Sequence, residues 1–254
     1  MKEKSDKLFF AKLGDMVSQS ERNSVGVFSN FLDERQCAEA ECWCRNNTGG
    51  LSYKFWGGYM NAARRMLAVY PDYHENYIIN DFPIKCITFS YRKEDRLTHR
   101  DFLGTLMGMN FRREIIGDII TGEGITQIFV TDIAGRLISS VVSKVGRTGV
   151  KISDSKPFEL SVSDMQKFMD ISCTVASLRL DCIVAAAANI SREKASSIIR
   201  GEKVDVNHLS VGSVSKELKE GDIISIRGCG RFVVSGINGF TRKNRIHIIL
   251  KKYI

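Results

Sequence analysis

The chain has 254 residues, 43% of them hydrophobic, which is enough to bury one large core or two to three small ones and excludes a disordered polypeptide. Its net charge of +8 is unevenly spread: residues 177–254 hold 14 Lys/Arg against 7 Asp/Glu, and residues 1–176 hold 23 against 22. A basic module beside a neutral body is the footprint of nucleic-acid binding, the plain alternatives being a solubility role or attachment to anionic lipid.

The start, "MKEKSDKLFFAKLGDM", mixes charges of both signs and has no apolar stretch of signal-peptide length. The longest apolar run, "CIVAAAANI", is too short to span a bilayer. Seven cysteines is an odd number, and none are paired at CxxC spacing. Cys37, Cys42 and Cys44, in "CAEAECWC", read as reduced thiols on a helix rather than a thiolate site, which implies a reducing, cytoplasmic compartment. The three prolines, Pro71, Pro83 and Pro157, fall near changes of pattern and mark candidate boundaries.

Residues 1–80 are expected to form a mostly helical domain, with "LDERQCAEAECWCRN" its clearest helix. "FWGGYMNAARRMLAVYPDY" predicts a glycine turn and then a helix with Ala62, Met66 and Val69 on one side; Arg64 and Arg65 lie elsewhere, on a solvated face, with RNA contact the alternative reading. Over residues 83–156 the order is strand, helix, strand, strand, helix, strand. "IKCITFSY" puts Ile87, Phe89 and Tyr91 on one face. In "THRDFLGTLMGMN" Thr98 is the N-cap with Asp101 three residues on, and Phe102, Leu103 and Leu106 point inward. "IIGDIIT" and "ITQIFVT" flank a turn at "GEG". "DIAGRLISSVVSKVG" is a helix with Ile133, Leu137, Val141 and Val145 as its inward stripe and Gly146 as its stop; "GVKIS" is the last strand. This βαββαβ order is that of a ferredoxin-like (split-βαβ) sandwich, a fold of many RNA-binding domains and of many enzymes. Phe89, Tyr91 and Phe129 are read as core rather than as a base-stacking platform.

Residues 177–254 are the basic module. "SLRLDCIVAAAAN" is a helix with Leu180, Ile183, Val184 and Ala187 inward. Ser191 caps a second helix that buries Ala195, Ile198 and Ile199 and carries Arg192, Ser196 and Arg200 along the opposite face. Gly201 should end it in a left-handed conformation. "KVDVN" alternates Val204 and Val206 inward with Lys203, Asp205 and Asn207 outward, and "GDIISIRGCGRFVV" and "NRIHIIL" add short strands. A row of guanidinium and hydroxyl groups on a rigid support suits phosphate recognition.

Three pieces in order, "RLD" at 179–181, "SREKASSIIRGEKVDVN" at 191–207 and "LKEGDIISIRG" at 218–228, resemble the S-four (αL) RNA-binding domain of a small-subunit ribosomal protein. "FWGGYMNAARRMLAVYPDY", "HRDFLGTLMGMNFRREIIGDI" and "RGCGRFVVSGINGFTRKNRI" look like the bacterial YlmH family, a resemblance that runs from about residue 50 onward. It implies an α+β, non-enzymatic, monomeric RNA-binding protein of the cytoplasm, linked to ribosome-associated quality control. The implied partners are rRNA, tRNA and the large ribosomal subunit, with no membrane, no small-molecule substrate and no cofactor or metal. Carried onto this chain, the resemblance makes Arg179 and Arg192 the principal RNA contacts. Lys194, Ser197, Arg200, Lys203 and Asn207 share their surface, Arg227 and Arg231 extend it, and Asp181 orients a neighbouring basic group. Arg112 and Arg113 are candidates for a second contact in the middle segment.

Pseudouridine synthases also use the S-four module and resemble one another in a catalytic aspartate within a G-R-L-D piece. Here "AGRLISS" has Ile138 in that place. "GEGITQ" lacks the third glycine of a methyltransferase cofactor loop, and "HRD" at 99–101 has no glycine-rich loop or DFG beside it. His99, His208 and His247 have no metal-ligand spacing. No helix offers base-reading residues at groove spacing, and the basic helix lacks the large exposed apolar residues of a membrane-surface helix.

Overall fold

The computed structural model describes residues 2–75, 78–154, 168–242 and 244–253. The boundary expected near Pro157, and the end of the middle segment at 155–156, lie outside the described residues. The chain divides into two compact units, residues 1–162 and 163–254.

In the first unit, α1 (Lys2–Asn23) and α2 (Glu34–Asn47) accompany a small sheet of β1 (Val27–Phe28), β2 (Ser52–Trp56) and β3 (Met66–Tyr70) in the order β1-β3-β2. Asp33 starts α2 with a reciprocal capping box: its carboxylate accepts from the Gln36 N–H at 2.8 Å, and the Gln36 side chain accepts from the Asp33 N–H at 3.0 Å. The helix expected after the double glycine is instead a turn and the central strand β3. "MLAVY" is apolar at every position, so its period is ambiguous. Leu67 and Val69 enter a cluster with Leu13, Cys37 and Cys44, whereas Met66, Ala68 and Tyr70 enter another with Phe31, Phe82 and Phe129. A strand buried on both faces carries no alternation to betray it. The turn before it needs its glycine: Gly58 sits at φ +97°, and a Cβ there would fall 2.4 Å from the Phe129 ring.

After the short α3 (Ile78–Asp81) the expected element order appears. β4 (Ile84–Ser90), α4 (His99–Gly108), β5 (Ile116–Thr121), β6 (Ile125–Thr131), α5 (Asp132–Val141) and β9 (Lys151–Asp154) follow one another, with a hairpin of β7 (Lys144–Val145) and β8 (Thr148–Gly149) inserted before β9. The sheet is antiparallel in the order β5-β6-β4-β9. Ile87 and Phe89 on β4 meet Phe102 and Leu106 of α4, and the Thr98 N–H donates to Asp101 at 2.8 Å, as the capping pattern suggested.

The inward stripe of α5 differs from expectation. Ile133, Leu137 and Val141 are exposed, and the buried side is Ala134, Gly135 and Ile138. Val145 is buried but belongs to β7, and Gly146, at φ +57°, turns the β7–β8 hairpin rather than stopping the helix. Residues 1–80 and 83–156 also share a core, since Ile120 and Phe129 pack with Phe31, Tyr59, Met66 and Tyr70. The break read at residue 80 therefore does not separate compact units, and the first 80 residues carry a sheet as well as helices.

The second unit is a six-stranded antiparallel sheet of β10 (Phe168–Val175), β11 (Val204–Val206), β12 (Leu209–Ser210), β13 (Ile223–Ile226), β14 (Gly230–Phe240) and β15 (Ile246–Tyr253), in the order β10-β15-β14-β13-β11-β12. α6 (Leu180–Ala188) and α7 (Arg192–Arg200) pack on it through Leu180, Ile183, Val184, Ala195 and Ile199, against Val204, Ile224, Phe232, Val234 and Ile248. Ser191 caps α7, its hydroxyl accepting from the Lys194 N–H at 3.2 Å. Gly201 is not left-handed, at φ −81°; the left-handed residue is Glu202, at φ 51°. Strand β10 was not anticipated. Among the described residues no helix is long and apolar enough to cross a membrane, and no group of three or more His, Cys, Asp or Glu is placed to hold a metal. The seven cysteines are free thiols; Cys37, Cys42 and Cys44 lie on α2, the first and last of them buried.

Candidate nucleic-acid interface

The start of α6 is tied to the loop before β13. The Leu180 N–H donates to the Lys216 carbonyl at 2.8 Å, the Asp181 N–H to the Val214 carbonyl at 3.2 Å, and the Leu218 N–H to the Leu178 carbonyl at 2.9 Å. This anchoring buries Asp181, which is only 3% exposed. Two cations compensate its carboxylate. Arg179 donates through Nε to Oδ1 at 3.1 Å and through Nη2 to Oδ2 at 3.4 Å, and Arg192, from the first turn of α7, donates through Nη2 to Oδ2 at 2.6 Å. Burial alone would push the Asp181 carboxyl up; the hydrogen bonds from Arg192 and Arg179 outweigh it and hold the group below its ordinary value. The bond to Asp181 likewise raises the Arg192 guanidinium. One buried anion thus fixes two guanidinium groups from two helices while both stay partly exposed, with donors left over for an external anion.

The other residues named from the sequence are placed differently. Lys194, Ser197, Arg200, Lys203 and Arg227 are exposed. Asn207 is exposed, but its amide is occupied: it donates to Asp222 at 2.9 Å and accepts from the Ile223 N–H at 2.9 Å, at a left-handed position of φ 50°. That geometry belongs to the turn between β11 and β12. Arg231 is half-buried on β14 with its guanidinium 5.6 Å from the centre of the Tyr253 ring. Sequence reasoning did not include Lys251, which stands 5.9 Å over Phe168, or Arg245, which donates to the Thr174 carbonyl at 2.7 Å. The basic run "TRKNRI" was the available signal for the latter.

In the first unit Arg112 is exposed, with a loose ion pair to Glu114 at 3.6 Å. Arg113 is half-buried and donates to the carbonyls of Ile116 (2.7 Å) and Gly117 (3.0 Å). Arg64, expected on a solvated face, is half-buried as well. It donates to the carbonyls of Ile116 (2.9 Å), Phe31 (3.1 Å) and Arg113 (3.1 Å). Burial, followed by the nearby Arg64 charge, pushes Arg113 down to about 10.

The family model described as "Putative RNA-binding domain in YlmH" matches residues 78–159. The chain is also 29% identical over 227 residues to "Ribosome-associated protein quality control protein P2" of Bacillus subtilis (strain 168), covering 88% of this chain and 86% of that protein. The chain is similar to the YlmH family through this middle domain and along most of its length. The "Cell division protein ylmH from Streptococcus pneumoniae" shares its fold over 59% of this chain and 91% of that one, with a TM-score of 0.51 at 24% identity. The matched domain spans β4 through β9 and so holds Arg112 and Arg113, whereas Arg179 and Arg192 lie beyond it.

Proposed function

We propose that this YlmH-like chain is a non-enzymatic RNA-binding protein of the cytoplasm that acts as a monomer on the large ribosomal subunit in ribosome-associated quality control. The principal contact is rRNA or tRNA backbone held by Arg179 and Arg192. The observation that carries this reading is the buried Asp181 carboxylate, which aligns both guanidinium groups at one edge of a module with 14 Lys/Arg against 7 Asp/Glu. Planar guanidinium forks bind phosphate oxygens in pairs, and prior orientation lowers the entropic cost of doing so. Lys194, Ser197, Arg200, Lys203 and Arg227 are exposed and available to track the same backbone, while Asn207 and Arg231 support the strands beneath it.

The topology supports reading the second unit as an S-four (αL) domain and residues 83–156 as a ferredoxin-like RNA-binding domain. The first rests on two helices against a sheet with "RLD" at the first helix start, the second on a βαββαβ order with strands in the sequence β5-β6-β4-β9. Arg112 offers that domain a second, weaker phosphate contact, and two contacts on one chain raise avidity through effective concentration. A pseudouridine synthase reading finds no support at Ile138, which is fully buried against the sheet.

Sucrose-gradient sedimentation of tagged protein tests the proposal. Wild type should co-migrate with large subunits at low salt and dissociate steeply as salt rises, and Arg179→Ala and Arg192→Ala should both leave the subunit fraction. Wild type remaining at the top of the gradient at low salt would overturn it.

A further inference from the structure

Arg64 and Arg113 lie 49 positions apart, yet both donate to a single acceptor, the Ile116 carbonyl, at 2.9 and 2.7 Å. Neither guanidinium group has a carboxylate within 4.0 Å among the described residues, although both residues are half-buried. Asp118, whose charge acts on both guanidinium groups, is already occupied by the Tyr59 hydroxyl and the Ala63 and Arg64 N–H groups, at 2.7, 2.7 and 3.0 Å. Backbone stitching explains some of these donors but not the pairing of two cations in a partly desolvated place, where like charges repel more strongly than in water. Among the described residues, Arg64 Nη1 and Arg113 Nε and Nη2 have no protein acceptor.

Both arginines line a cleft of about 680 Å³ in the first unit. Its apolar wall comes from Phe9, Leu13, Met16 and Phe28, and Phe9 and Phe28 are only half-buried. Three acids also border it. Glu114 is engaged by Arg112, and Asp33 accepts from the first turn of α2, which leaves Asp15 as the one acid with neither role. The volume is in the range of small-ligand sites. Two guanidinium groups beside an aromatic wall offer several donors to one tetrahedral anion and a flat apolar surface to one ring.

We propose that this cleft binds a single nucleotide, its phosphate on Arg64 and Arg113 and its base against Phe9 and Phe28. The nucleotide is either free or the terminal unit of an RNA strand. This inference does not depend on the Arg179–Arg192 surface, although an RNA-terminal source would join the two.

The full chain is titrated calorimetrically with AMP, adenosine, inorganic phosphate and a 5′-phosphorylated RNA tetramer. AMP should bind saturably and adenosine at least about tenfold more weakly, because the charge-assisted bonds to phosphate are missing. Arg113→Gln should weaken AMP by about tenfold, with Arg113→Lys between the two. Phe9→Ser, at a half-buried position, should weaken AMP but leave phosphate binding unchanged, which keeps the test informative if Arg113→Gln loses its fold. Tighter binding of the tetramer than of AMP, with mutual competition, identifies an RNA terminus, and the reverse order a free nucleotide; either supports the site. Arg192→Ala should leave AMP binding intact, so failure of the ribosome reading and failure of this one are distinguishable. Absence of saturable AMP and phosphate binding, or equal AMP binding by wild type and a folded Arg113→Gln, overturns the proposal.

Discussion

Replacing Asp181 with Asn keeps the shape of the buried side chain and removes its charge. The carboxylate accepts three hydrogen bonds from cationic donors, two of them at 3.1 Å or shorter. Breaking a fully buried ion pair costs about 3–5 kcal/mol. Here the two arginine side chains are 41% and 57% exposed and can turn to water, so the cost is discounted to about 2 kcal/mol, mostly lost charge-assisted bonds and an Asn NH₂ facing a guanidinium. For a domain of this size that corresponds to a fall of roughly 8–16 °C in the transition of the second unit, read by circular dichroism at pH 7. The variant should also bind RNA about three- to tenfold more weakly with an unchanged salt slope, because both guanidinium charges remain and only their placement is lost. Because the fold holds the Asp181 carboxyl below its ordinary value, its contribution is complete above the unfolded pKa of about 3.9 and fades as pH falls through the lower folded value. Wild type and Asp181→Asn should therefore converge in stability on acidification below that pH. A variant as stable as wild type at pH 7, with equal RNA affinity, would refute the view that this anion organises the surface.

Other expectations follow from the same geometry. Arg200→Ala, at an exposed position of α7, should weaken RNA binding uniformly across sequences and lower the salt slope by about one, measured by fluorescence anisotropy at several salt concentrations. On α5, Ile138→Ala should cost about 2–5 kcal/mol in urea unfolding, whereas Leu137→Ser, at the 51% exposed neighbour, should stay within about 0.5 kcal/mol. Cys42 should react with a thiol reagent in the native protein, while Cys37, buried on the same helix and pushed up to about 11 by its burial, should react only on unfolding.

The α5 pair shows where sequence stops deciding. Ile133, Leu137 and Val141 form as regular a stripe as Ala134, Ile138 and Val142, one residue out of phase. The structure buries the second because small residues let the helix approach: a Cβ on Gly135 would lie 2.9 Å from the Lys85 side chain and 3.3 Å from Val130. The larger side chains are left outside, against the ranking by hydrophobicity alone. Strand β3 failed for a related reason, since an unbroken apolar run has no period to read. Strand β10 did carry a signal, with Ile171, Cys173 and Val175 alternating inward across from Leu250, Ile248 and Ile246. By contrast, caps and turns are local chemistry, and Ser191, Thr98 and Asp33 could be read or placed from a few residues each.

The two basic sites divide along the same line. Arg179, Asp181 and Arg192 fall within fourteen residues and meet because α6 and α7 pack as consecutive helices, so their association is close to legible in the chain. Arg64 and Arg113 meet only after β5 pairs into its sheet and presents the Ile116 carbonyl beneath the turn that follows β2. Nothing within a helical or strand period of either residue points to the other. A pairing of that kind survives the repulsion between its members by using backbone dipoles on one side, and the donors on the other side remain for an anion. The first unit therefore differs from the second in how its charge is organised: one buried carboxylate steadies two exposed cations in the second unit, and in the first two half-buried cations share a carbonyl at the wall of a cleft.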